Sequence, residues 1–106
     1  MISSHVLDAT TGRPAAGLRI ELCHRDVAGT WHALSSATTD GDGRVAEFAG
    51  ASEAGVYRLT FAVEEYLAGA PFYPEVVVTF RVTDPAERHH VPLLLSPFAY
   101  STYRGS

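Results

Sequence analysis

The stretch HVPLLLSPFAYSTYRGS, from His90 to Ser106, decides the architecture. It is an apolar run, a break at Ser96 and Pro97, and a second short run ending in Tyr103, Arg104, Gly105 and Ser106. Proline fixes φ and has no amide hydrogen to give a sheet, so the break reads as a corner between two strands. Upstream, Val76 to Val82 is β-branched almost throughout and stops at Asp84-Pro85, which is strand composition. Val56 to Val63 sets Tyr57, Leu59, Phe61 and Val63 against Arg58, Thr60 and Ala62, and Leu18, Ile20 and Leu22 alternate with Arg19, Glu21 and Cys23. That period of two marks half-buried strands. Trp31 to Thr39 and a segment beginning at His5 to Asp8 are further strands. Thr10 to Pro14, Arg25 to Thr30, Asp40 to Gly43 and Gly50 to Gly55 are turns by composition. Glu64 to Ala70 has room for one or two helical turns. Seven or eight short strands with at most one small helix predict an all-β antiparallel sandwich, with residues 1–106 as a single domain.

The chain has 106 residues, of which 46% are apolar, ordinary for a globular domain. Its eight cations are all arginines, against twelve acidic residues, for a net charge of −4. Without a basic cluster it is a poor partner for nucleic acid or an anionic membrane. The one cysteine, Cys23, excludes an intrachain disulfide and a Cys-rich zinc site, so no metal is expected. MISSHVLDAT carries no signal-peptide pattern, and no apolar stretch is long enough to span a bilayer. A cytoplasmic location is therefore expected.

Five histidines are more than a core needs. His24 and His32 read as exposed structural side chains. His5 opens the first strand and His90 opens the strand next to the last. Histidine carries protons in either direction near neutrality, and arginine binds oxyanions through a planar fork. Two histidines, an arginine and a tyrosine suit acyl transfer to water, although the spacing does not show that they meet. Asp40-Gly41-Asp42-Gly43 lacks the full ligand spacing of a calcium loop and fits a tight turn. No nucleophile elbow, P-loop or zinc motif is present.

Four blocks in order resemble the 5-hydroxyisourate hydrolase family, the transthyretin-related enzymes of urate breakdown. They are His5-Val6-Leu7-Asp8 with Gly12, Pro14, Ala15 and Gly17; Thr39-Asp40-Gly41-Asp42-Gly43-Arg44; Phe72-Tyr73-Pro74-Glu75 through Phe80; and Tyr103-Arg104-Gly105-Ser106. The resemblance implies a transthyretin-like sandwich of two four-stranded sheets. It also implies a homotetramer, a dimer of dimers, with the site where neighbouring subunits meet. It implies His5, Arg44 and His90 as catalytic residues, and Tyr103, Arg104 and Ser106 joining His5 and Arg44 in substrate binding. The expected reaction opens the six-membered ring of 5-hydroxyisourate without metal or cofactor. Two departures stand out. The family's His-Tyr-His before Val-Pro is Arg88-His89-His90 here, so His89 is expected to be incidental. The segment from Phe61 to Phe72 is short, so the family's small helix is expected to be trimmed. The alternative is a transthyretin-like carrier, binding small aromatic ligands without chemistry. The carrier lacks the histidine, arginine and terminal signatures.

Overall fold

A computed structural model describes all residues from Met1 to Ser106. The alternating runs become strands β1 (Ile2–Asp8), β2 (Arg13–Pro14), β3 (Arg19–Arg25), β4 (Trp31–Thr38), β5 (Arg44–Val45), β6 (Gly55–Phe61), β7 (Val76–Val82), β8 (His89–Ser96) and β9 (Ala99–Thr102). Between β6 and β7 lies the single helix, α1 (Val63–Tyr66), one turn long, as expected from the shortened segment. No helix is long and apolar enough to cross a membrane.

One sheet runs β4-β3-β6-β7, antiparallel throughout. The other runs β2-β1-β8-β9, with β5 also on β1. It counts five strands because the two-residue β2 and β5 share the outer edge of β1. Within it β1 and β8 run parallel, Ile2 beside His89 through Asp8 beside Leu95. Pro97 and Phe98 form the corner between β8 and β9, where Ser96 pairs with Ala99.

The inward face of each strand follows from its period. Ile20, Leu22, Leu59 and Phe61 from one sheet, with Leu18 just before β3, meet Val6, Leu93 and Leu95 from the other, all buried. They belong to one cluster of 17 core residues. Burying each such side chain stabilises the fold by roughly 1.5–3 kcal/mol before entropy is counted.

The Asp40 turn locks β5 onto β1. The Asp40 carboxylate Oδ1 accepts hydrogen bonds from the amides of Asp42 (2.9 Å) and Arg44 (3.0 Å). The Val6 amide donates to the Gly43 carbonyl at 2.8 Å. Gly43 has φ +74°, and a Cβ there would lie 2.5 Å from the Val6 carbonyl oxygen. A side chain would therefore force β5 off β1 as well as strain the backbone. Gly43→Ala is expected to lower stability by more than about 1 kcal/mol, whereas Gly41→Ala, where a Cβ meets nothing, leaves it nearly unchanged. Paired denaturant melts check this; equal midpoints would remove the close-approach argument.

Candidate active site

Strand register brings three side chains to one outward face. His5 on β1 is paired with Arg44 on β5. His90 on β8 is paired with Ser3 on β1, two residues before His5. Paired residues share a face, and so do residues two apart on a strand. The core takes the opposite set, Ile2, Val6, Val91, Leu93 and Leu95.

Each of these residues is held by neighbours. The His5 Nε2–H donates to the Asp42 carbonyl at 2.9 Å; a carbonyl only accepts, so the proton sits on Nε2 and the Nδ1 lone pair is free in the neutral ring. The Ser3 hydroxyl is 2.8 Å from His90 Nδ1, and Nε2 is left without a hydrogen-bond partner. Arg44 stands beside Asp40 through its amide, while its guanidinium enters none of the three ion pairs, Arg19–Glu65, His32–Asp26 and Arg104–Glu87. It remains available to an anion. Partial burial holds His90 below the ordinary imidazole pKa, with smaller pushes from the charges of Arg88, Arg44 and His5. Both effects favour the neutral imidazole of His90, the form that can accept a proton.

The terminal tetrapeptide reaches this face through its backbone. Gly105 bridges to His90, its amide donating to the His90 carbonyl at 2.8 Å. A Cβ on Gly105 would come within 2.5 Å of His90 Cδ2, so glycine is needed there for the ring to lie flat against the chain. The Arg104 guanidinium turns to Glu87 (3.5 Å) and to the Arg88 carbonyl (3.4 Å). Tyr103 is 59% exposed, and Ser106 is exposed at the end of the same segment.

The remaining histidines lie apart from these. His32 is exposed and pairs with Asp26 at 2.7 Å. His24 was expected to be exposed but is half-buried, its ring 4.5 Å from that of Tyr57. His89 is buried, its ring held to the Glu87 carbonyl at 3.0 Å. It faces inward because it is one residue out of phase with His90. Nowhere do three or more His, Cys, Asp or Glu side chains converge in metal-binding geometry. Sequence reasoning missed Ser3 and the Asp42 carbonyl. The alternation of ISSHVLD does place Ser3 and His5 on one face, but a backbone carbonyl leaves no trace in side-chain pattern.

The HIUase/Transthyretin family matches residues 2–105. The 5-hydroxyisourate hydrolase of Deinococcus radiodurans is 40% identical, the alignment covering 99% of this chain and 95% of that protein. The structure of Klebsiella pneumoniae 5-hydroxyisourate hydrolase superposes with a TM-score of 0.85 at 32% identity, covering 99% of this chain and 98% of that one. Sea bream transthyretin in complex with thyroxine gives 0.89 at 28% identity, covering 98% and 93%.

Proton-coupled NMR titration should place His90 below the ordinary value of 6.5. Its charged form is disfavoured in the fold, so the stability it contributes is complete above that value and declines as pH falls through the folded one. Gly105→Ala should move the ring and shift that titration while the protein stays folded. An unchanged His90 titration in this variant would show that the terminus does not set the ring.

Proposed function

The chain belongs to the HIUase/Transthyretin family, and from that membership we propose that it hydrolyses 5-hydroxyisourate, the product of urate oxidase, in urate degradation. The observation that carries the reading is the convergence of His5, Arg44 and His90 on one outward face, in a chain whose relatives are named for this reaction.

In the proposed reaction a water oxygen attacks the lactam carbonyl carbon of the six-membered ring. One of the two histidines takes the water's proton, a role typically worth about 10² to 10⁴ in rate. Arg44, whose guanidinium has no carboxylate partner, binds the substrate oxygens and stabilises the developing oxyanion. The C–N bond then breaks and an imidazolium returns the proton to the leaving nitrogen. The product is 2-oxo-4-hydroxy-4-carboxy-5-ureidoimidazoline. Tyr103 contacts the substrate ring or a ring nitrogen, and Arg104 and Ser106 complete the binding set. The alternative, a carrier of aromatic ligands, has the sea bream protein's fold in its favour. It leaves the two histidines and the free arginine without a task.

The proposal includes a homotetramer, a dimer of dimers, and a cytoplasmic setting. The site is an open sheet face, and reaction chemistry gains from a covered, dry one. Strand β9, at a sheet edge, is exposed at all four residues. Phe72 and Phe98, with ring centroids 5.8 Å apart, form an exposed apolar pair. Both features favour association with further copies. Cytoplasmic residence is supported by the free thiol of Cys23.

The deciding test generates 5-hydroxyisourate in place from urate and urate oxidase and follows its ultraviolet decay. The protein should accelerate that decay; spontaneous rates would end the hydrolase reading. Arg44→Lys keeps the charge but loses the fork, and should lose most activity. His5→Asn and His90→Asn should each lower turnover about 10² or more, with His32→Asn near wild type. Removing Tyr103 to Ser106 should abolish hydrolysis without unfolding the sandwich. Sedimentation at micromolar concentration should show four chains; a fully active monomer would refute a shared site.

A further inference from the structure

Resting on the hydrolase reading, we propose that Ser3 is a positioning residue: its hydroxyl accepts a hydrogen bond from His90 Nδ1–H and so presents the Nε2 lone pair of His90 to the reacting water. Ser3 is 1% exposed, so it does not touch substrate and can act only through its neighbour. The parallel register sets it directly beside His90, and its oxygen lies 2.8 Å from Nδ1. On the opposite side Gly105 closes over the ring edge. The ring therefore sits between a hydroxyl and a glycine, with Nδ1 held and Nε2 without a hydrogen-bond partner.

The direction of the hydrogen bond follows from the chemistry. A hydroxyl can donate or accept, and the nitrogen that carries the proton is set by the bond the other one makes. If Ser3 donated to Nδ1, the proton of neutral His90 would sit on Nε2 and no lone pair would face the site. If Ser3 accepts, neutral His90 has Nε2 free. It takes the water's proton there and returns it to the leaving nitrogen, and Nδ1–H stays on Ser3 throughout. One arrangement serves the whole cycle. The two histidines thus divide the work. His5, with Nε2–H tied to the Asp42 carbonyl, is fixed in the opposite tautomer from His90.

The acceptor role also gives a sign. Hydrogen bonds from a charged donor are stronger than those from a neutral one, so an accepting Ser3 stabilises the imidazolium more than the imidazole. Around His90 the charged and titratable groups are His5 from β1, Arg44 from β5 and Arg88 from its own approach. Arg104 on the terminal segment is turned to Glu87. Arg88, Arg44 and His5 all oppose the imidazolium, the Ser106 carboxylate follows the glycine that packs on the ring, and an accepting Ser3 adds a directed bond in favour of the charged form. Removing it should lower the His90 pKa further. A donating Ser3 would give the reverse shift.

The experiment compares wild type, Ser3→Ala and Ser3→Thr in the full chain. Nitrogen-15 NMR of the rings above pH 8 should show Nδ1–H for His90 in wild type and Ser3→Thr, and Nε2–H in Ser3→Ala. Ser3→Ala should lower kcat about 10-fold, part of the roughly 10² to 10⁴ that acid–base help supplies, with KM nearly unchanged. Its acid limb should move to lower pH, and Ser3→Thr should restore both. Nε2–H on His90 in wild type, a limb that moves to higher pH, or unchanged tautomer and kcat in Ser3→Ala would each overturn the assignment. Absence of hydrolysis in wild type would instead overturn the functional reading, and the ring tautomers would still decide what Ser3 does.

Discussion

The parallel ladder between β1 and β8 is the constraint from which the rest follows. Its register sets Ser3 beside His90 and His5 beside Pro92. Side chains alternate with a period of two, so a slip of one residue would send His90 inward and His89 out. The core enforces the register, since Val6, Val91, Leu93 and Leu95 must all face the second sheet. Burial worth several kcal/mol in total therefore holds a polar arrangement that has little stability of its own. The opposite edge of β1 is secured by a different device. The Asp40 carboxylate closes a tight turn whose pKa is held low by the two amides it accepts from, and Arg44 is delivered next to His5.

Strand periodicity carried most of the architecture in plain view. Leu18, Ile20 and Leu22, and Tyr57, Leu59 and Phe61, announced their inward faces because a half-buried antiparallel strand has to alternate. Pro97 announced its corner because a residue without an amide hydrogen cannot sit inside a ladder. The two-residue strands β2 and β5 were not legible, being defined by pairing to β1 rather than by pattern. Nor was the parallel sense of β1 and β8, which depends on which distant strands become neighbours. His24 was misjudged as exposed because Tyr57, its ring partner, comes from another strand. The site was legible as residue types and as a family pattern. Its geometry was not, because Ser3, the Asp42 carbonyl and Gly105 matter through close approach.

The same sandwich is used for very different ends. This chain superposes on a transthyretin holding thyroxine at least as well as on a hydrolase, so the backbone alone does not choose between carriage and chemistry. The choice rests on side chains that leave the core untouched. Outward positions of β1, β5 and β8 can change from one residue type to another at little cost to the inward set. A sheet of this kind is a scaffold whose reactive character is written on its solvent side.

The pairing of β1 with β8 also has a consequence in time. Ser3 and His90 are 87 positions apart, so the central ladder of one sheet joins segments made far apart in the order of synthesis. Loop-closure entropy opposes such contacts until much of the chain is in place. A chain still emerging from the ribosome can pair β3 with β4 and then β6, but β1 must wait with its edge bare. That interval is when an unpaired strand is most open to wrong partners. The polar residues Ser3, Ser4 and His5 at the start of β1 make that waiting edge less adhesive than an apolar run would be. Ser3 and His5 later become part of the site, and the reactive face is therefore among the last features of this sandwich to form.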